Sequence, residues 1–180
     1  MEPTKILCLW EKCRLNDPQA QHKLYQHFAS KMYPVALRYA QDTAEAQDIL
    51  QNGFIKVFTK TDYYQGKGSL EGWIRRVIIN TAIEQHRKNK INFLSIDQVA
   101  YHPGGSCSSL GHLDYKDLLA IIQQLPVGYR TVFNLYAIEG YGHKEIADML
   151  QINEGSSKSQ LSRARSWLQK RIQKMEELEL

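Results

Sequence analysis

Residues 91–112, INFLSIDQVAYHPGGSCSSLGH, break an otherwise continuous helical pattern, and this break most constrains how the chain can fold. Asp97 is the only formal charge there, while Pro103, Gly104, Gly105, Gly111 and four serines cluster within the stretch. Such a composition favours turns over packing and reads as a flexible linker between two folded units. Its beginning, 91–99, brings Ile, Phe and Leu together, as wholly flexible linkers rarely do, so this part is expected to dock. The resulting division is a first domain at 1–92, a linker at 93–112 and a second domain at 113–180. A chain of 180 residues with 43% hydrophobic content can fill two small cores.

On both sides of the break the periodicity is that of helices, and the strict alternation of a strand is absent. Asp17 followed by Pro18 supplies an N-cap and a first-turn proline, and Ala20, Leu24, Phe28 and Val35 continue one apolar face, with Pro34 expected to kink the helix without ending it. Asp42 with Glu45 has the form of a capping box ahead of the stripe Ala46, Leu50, Phe54, Val57 and Phe58. The other face of that helix shows Asp48, Asn52 and Ile55, with Gln51 at its edge. Ser69 is placed to cap a third helix that buries Leu70, Trp73, Ile74, Val77 and Ile78 and runs into the basic text HRKNK.

Beyond the linker, short helices are expected at 114–124 and 127–138, the latter stopped by Gly140 and Gly142, followed by 143–150. Residues 151–155 read as a turn, and Ser156 as the cap of a last helix. That helix lines up Leu161, Ala164, Leu168, Ile172 and Met175 on one side and Ser159, Ser162, Arg163, Ser166 and Lys170 on the other. Residues 155–174 carry six Lys or Arg and no acid. Two helices joined by a tight turn, the second basic outward, form a helix-turn-helix whose second member fits a major groove. The expected fold is therefore all-α, two small helical domains joined by a flexible linker, the C-terminal one containing the helix-turn-helix.

A net charge of +4 is too mild to identify nucleic acid by itself, so the placement of charge decides. Residues 75–90 hold five basic groups against Glu84 alone, and this second patch, far along the chain from the first, suits two contacts on one long ligand. No apolar run is long enough to span a bilayer, and charges interrupt what would be the apolar core of a signal peptide, so a cytoplasmic protein without membrane insertion is expected. Cys8, Cys13 and Cys107 are odd in number and irregularly spaced, which fits a reducing compartment. His102, Cys107 and His112 lie five residues apart, but zinc sites show tighter cysteine pairs; no metal or other cofactor is expected.

Four segments in this order resemble an extracytoplasmic-function sigma factor of the sigma-70 family: NDPQAQHKLYQHFASKMYPVALRYA, AEAQDILQNGFIKVF, GSLEGWIRRVIINTAIEQHRK, and LPVGYRTVFNLYAIEGYGHKEIADML with EGSSKSQLSRARSWLQKR. The resemblance covers nearly the whole chain. It implies that the first domain binds core RNA polymerase and opens the minus-ten promoter element, and that the second reads the minus-thirty-five element. It implies promoter DNA and core polymerase as partners and, as in many relatives, a membrane-anchored anti-sigma factor.

Carried onto this sequence, the core-binding helix falls at 46–58, with Asp48, Gln51, Asn52, Phe54 and Ile55 as contacts. A carboxylate and an amide on a rigid helix suit pairing with basic residues of a coiled coil. Asn52 departs from a common Glu, and Gly53 costs about 1 kcal/mol relative to Ala inside a helix. The minus-ten specificity loop corresponds to 62–69, DYYQGKGS, with Lys67 for phosphate and with Tyr63 and Tyr64 either stacking on bases or packing in the core. Asn80 offers donor and acceptor to an unstacked base, while Arg75, Arg76, Arg87 and Lys88 hold the backbone. The minus-thirty-five set is Ser156, Lys158, Ser159, Ser162 and Arg163. Ser157 and Gln160 stand where Val and a basic residue are common, so the buried anchor after the cap is expected to be weak and the preferred promoter altered.

The competing reading is a one-component regulator in which the same helix-turn-helix binds duplex DNA without polymerase, as a dimer. An enzyme is disfavoured, because the text shows no paired carboxylates, phosphate-cradling glycine loop or nucleophile motif.

Overall fold

The computed structural model describes residues 3–91 and 115–177, all of whose regular elements are helical. The linker between them, with the expected docking of 91–99 and the His102, Cys107 and His112 group, lies outside the described residues, as does the expected helix start at Asp114. The chain divides into two units, Met1–Gln85 and His86–Leu180.

The first unit opens with α1 (Pro3–Arg14), to which the sequence reading assigned no element. Trp10 and Cys13 are buried on its inner face. Burial, with the charge of Asp17 adding to it, pushes the Cys13 thiol up to about 11, so it stays protonated and unreactive at neutral pH.

Helix α2 (Pro18–Tyr39) starts where Asp17 accepts hydrogen bonds from the amides of Gln19 at 2.9 Å and Ala20 at 3.2 Å, and it runs through Pro34 without ending. Helix α3 (Thr43–Thr59) is capped by Asp42, which accepts from the Glu45 amide at 2.8 Å. The Glu45 carboxylate reaches back to the Gln41 amide, one residue before the cap. A 3₁₀ turn (Thr61–Tyr63) leads to α4 (Leu70–Ile91), where the Ser69 hydroxyl accepts from the Gly72 amide at 3.0 Å. Leu24, Phe28, Ile49, Val57, Ile74 and Ile78 make the core between α2, α3 and α4.

Gly53, an apparent flaw in α3, is explained by this packing. A β-carbon at position 53 would overlap Ile78 Cδ1 of α4, and Ile78 is fully buried with nowhere to retreat. The helix-propensity cost of glycine is thus accepted for close approach of two helices.

The second unit consists of α5 (Tyr115–Gln123), α6 (Val127–Phe133), α7 (His143–Leu150) and α8 (Glu154–Glu177). The helix expected over 127–138 changes character midway. From Asn134 to Ile138 it widens into a π-helical turn, in which the Glu139 amide donates to the Asn134 carbonyl at 3.0 Å. Ile121, Leu125, Val132, Leu135, Ile146, Leu161 and Ala164 form the core of this unit.

Gly53→Ala should gain about 1 kcal/mol of helix propensity and lose about 1–3 kcal/mol to overpacking, leaving the first unit less stable. Ile78→Val, which removes the offending Cδ1, costs about 0.5–1.5 kcal/mol alone. In urea unfolding the double variant should be more stable than the sum of the singles predicts; additivity would show that the two methyls never meet.

Candidate polymerase and promoter interfaces

On α3, Asp48, Gln51, Asn52 and Ile55 are all exposed, Ile55 by 52%, an unusual degree for an isoleucine in a folded unit. Phe54, expected among the contacts, is instead 2% exposed. Its ring meets Tyr25 of α2 edge to face at 4.8 Å, so it forms a floor and has little surface left to offer a partner. Above that floor lies a groove of about 600 Å³, lined by Tyr25, Tyr33, Leu50, Gln51, Ile55 and Phe58 among others. Polar Asp48 and Asn52 therefore flank an apolar depression, the arrangement of a protein interface with a desolvated centre and a polar rim. The sequence reading missed Tyr25 and Tyr33; their signal is an aromatic residue lying off the apolar stripe of its own helix.

The loop after α3 separates its two tyrosines. Tyr63 is 73% exposed, with the Lys60 ammonium 5.8 Å from its ring centre. Tyr64 is turned inward against Trp10 at 5.8 Å and Trp73 at 5.6 Å, and its hydroxyl donates to the Gly68 carbonyl at 2.9 Å. Only Tyr63 is presented for stacking, and Tyr64 takes the packing role. Trp73, expected in the core, is half-buried in the same cluster. Lys67 is exposed between Gly66 and Gly68, whose φ values of 74° and 79° require glycine.

Along α4, Arg76, Asn80 and Arg87 are exposed at spacings that place them within about 40° on one helix face, while Lys88, also exposed, is turned about 100° from Arg87. Arg75 is half-buried and turned about 100° away from Arg76 by the helix geometry, so it does not share that face. Glu84, also exposed, is held by Lys56 at 2.7 Å, which takes the one acid of the basic segment into a pair with α3.

In the second unit the turn between α7 and α8 is shorter than expected. Gln151 adopts a left-handed conformation at φ 54° to end α7, and α8 begins at Glu154. The cap is Asn153: its side-chain oxygen accepts from the Ser156 amide at 2.6 Å. Ser156 is therefore inside the helix and does not cap it, and its carbonyl accepts from the Ser159 hydroxyl at 3.0 Å.

Ser157, expected to be a weak anchor, is fully buried, and its hydroxyl pairs with Nδ1 of His143, the first residue of α7, at 2.9 Å. A directional bond between the two helices thus stands where an apolar contact is usual. His143 also stacks on Tyr136 of the π segment at 4.6 Å, and the Arg165 guanidinium lies 5.6 Å from the other ring partner's centre, that of Tyr136. Ser159, Ser162, Lys158 and Arg163 are exposed on α8. Lys158 pairs with Glu154 one turn back at 2.7 Å, holding the Glu154 carboxyl below its usual range, and Arg163 Nη1 donates to the Tyr129 hydroxyl at 3.3 Å. Tyr129, Tyr136 and Arg165 were not expected at this face; Arg165 follows the basic pattern, but the tyrosines come from a different helix and leave no local signal.

No helix among the described residues is long and apolar enough to cross a membrane. Two helical units, the second built around a helix-turn-helix with a basic outward face, define a DNA-binding transcription protein. Residues 24–91 match the family described as Sigma-70 region 2, and residues 115–168 match Sigma-70, region 4. Together the matches span about two thirds of the chain, and the chain belongs to the sigma-70 family of RNA polymerase sigma factors, in its extracytoplasmic-function group.

Among relatives, it is 26% identical to the RNA polymerase sigma-H factor of Pseudomonas aeruginosa over 92% of both chains. It is 29% identical to the ECF RNA polymerase sigma factor SigE of Mycolicibacterium smegmatis over 81% of this chain and 59% of that one. Its fold resembles that of the sigma factor RpoE solved in complex with the anti-sigma factor NepR from Bartonella quintana, with a TM-score of 0.54 and 23% identity over 84% of this chain and 96% of that one.

Ser157→Ala should cost about 1 kcal/mol by removing the bond to His143. In a His143→Phe background the same change should cost much less. Hydrogen exchange of the amides at the start of α8 reads both, and equal costs in the two backgrounds would dismiss the bond as an anchor.

Proposed function

We propose that this sigma factor binds core RNA polymerase through Asp48, Gln51, Asn52 and Ile55 around the groove floored by Phe54, and brings promoter DNA to two separate helical surfaces. The domains are 1–92 for polymerase binding and the minus-ten element, 93–112 for the linker, and 113–180 for the minus-thirty-five element. The observation that carries this reading is that both sigma-70 regions occur in order on one chain, each with an exposed basic helix face. A one-component regulator needs a helix-turn-helix but has no use for region 2.

In the first domain, Tyr63 stacks on a base that has left the duplex, Asn80 reads its edge, and Lys67, Arg76, Arg87 and Lys88 hold the phosphates. In the second, Ser156, Ser159 and Ser162 flank Arg163, which reads a base edge, and Lys158 contacts the backbone. The chain acts in the cytoplasm and catalyses no reaction of its own. An anti-sigma factor is a fitting further partner, since the solved RpoE relative is held by one.

Run-off transcription with purified bacterial core polymerase should give discrete promoter-specific products only when the protein is added. Asp48→Arg should abolish co-elution with core while leaving unfolding unchanged; unaltered co-elution would remove Asp48 from the interface.

Arg163→Ala should cost about 1–3 kcal/mol of holoenzyme binding and relax preference at one minus-thirty-five position. Lys158→Ala should weaken all promoters alike and lower the salt slope, by less than the usual single charge because Glu154 already shares it. Titration against a promoter library at two salt concentrations separates these outcomes, and a uniform loss for Arg163→Ala would reassign it to the backbone.

A further inference from the structure

The loop at 62–69 is closed internally by one side-chain bond, from the Tyr64 hydroxyl to the Gly68 carbonyl at 2.9 Å. Its outward residues are exposed, and two of its glycines, Gly66 and Gly68, sit at positive φ with open space around them. Tyr64, which makes that bond, is itself held from outside the loop. Trp10 of α1, only 1% exposed, meets Tyr64 at 5.8 Å and Trp73 at 5.4 Å, both edge to face, and Tyr64 closes the triangle on Trp73 at 5.6 Å. Four residues further along α1, one helical turn, the Arg14 guanidinium stands 3.9 Å from the Asp62 carboxylate at the loop's start and 3.2 Å from Glu11 of its own helix. The loop is held at Tyr64 and, more loosely, by the exposed pair at Asp62, and the residue between them, Tyr63, faces outward.

We propose that α1 is a brace for promoter opening: Trp10 and Arg14 are positioning residues that preset the specificity loop so that Tyr63 is offered to an unstacked minus-ten base. This rests on the reading of that loop given above. The region 2 match begins at residue 24, after α1. The physical basis is population. A loop that is ordered for only a fraction of the time binds its ligand more weakly by that fraction, and side chains that hold it ordered restore the affinity without touching the ligand. Edge-to-face aromatic pairs are the main grip, because Trp10 and Trp73 fix a ring geometry that an aliphatic side chain would leave free. The Arg14 pair, in which the Asp62 side chain is 90% exposed, is the lesser part.

The test uses holoenzyme and a fluorescent single-stranded minus-ten oligonucleotide beside a scrambled one, with hydrogen exchange of the 61–69 amides and thermal unfolding measured on the full chain. Trp10→Leu should weaken specific strand binding by about two- to tenfold and speed exchange in the loop by a similar factor, while affinity for core polymerase and for minus-thirty-five duplex stays constant. Trp10→Phe, which keeps a ring in place, should recover most of the loss. Arg14→Gln, a surface change that cannot unfold the unit, should show the same pattern at about twofold. Tyr63→Ala should abolish the preference for the specific strand without altering loop exchange. The brace is overturned if Tyr63→Ala loses strand preference while Trp10→Leu and Arg14→Gln retain it, or if Trp10→Leu lowers the unfolding temperature with loop exchange unchanged. If Tyr63→Ala keeps its preference, the reading of the loop itself fails and the brace's role in promoter opening falls with it.

Discussion

The first unit depends on α3 and α4 coming close enough at Gly53 for Ile78 to occupy the space where a side chain would stand. That contact lets Ile49, Phe54 and Val57 on one helix and Ile74 and Ile78 on the other share a core without a gap. Each such side chain contributes about 1.5–3 kcal/mol when buried, more than the glycine forfeits. The ion pairs Lys56 to Glu84 and Lys31 to Glu71 tie α4 to its two neighbours at 2.7 and 2.6 Å, but such half-exposed pairs are worth at most about 1 kcal/mol. They trim the setting that packing has already chosen. Because the inner faces are locked, the outer faces are placed: Asp48, Gln51, Asn52 and Ile55 on α3, and Arg76 and Asn80 on α4.

Much of this was legible beforehand, for identifiable reasons. Asp17, Asp42 and Ser69 cap the helices they were expected to cap, since capping is decided within a few residues and leaves its mark there. The apolar stripes of α2, α3 and α8 were legible on the same ground. What failed was anything decided between segments. Tyr63 and Tyr64 are adjacent and chemically identical, and Trp10, more than fifty residues earlier, with Trp73 of α4 separates an outward ring from an inward one. Phe54 looked available for contact until Tyr25 covered it. The cap of α8 was misplaced from Asn153 to Ser156 because two good capping residues stand three apart, and the tight left-handed end of α7 at Gln151 selects the first.

The second unit solves its packing with more polar means. Its α8 is strongly basic and short of apolar residues on the outside, and its first buried position is Ser157 where hydrocarbon is usual. Hydrocarbon contacts fix distance and leave rotation loose, whereas a hydrogen bond to a ring nitrogen fixes direction as well. His143, pinned by Ser157 on its edge and Tyr136 on its face, therefore sets how α8 is rotated relative to α7. Rotation of that helix governs which of Ser159, Ser162 and Arg163 faces a base edge.

The π-helical turn at Asn134–Ile138 carries a consequence of phase. Such a turn holds one residue more than an α-helix would spend on the same span, like an added beat that shifts everything after it. Restoring ordinary rhythm by dropping that residue would turn the end of the helix back by about 100°, and Tyr136 would swing away from His143. The support of the helix-turn-helix is thus timed by a surplus residue upstream of it, and a one-residue deletion there, small in length and composition, would take Tyr136 from the ring of His143 on which it stacks.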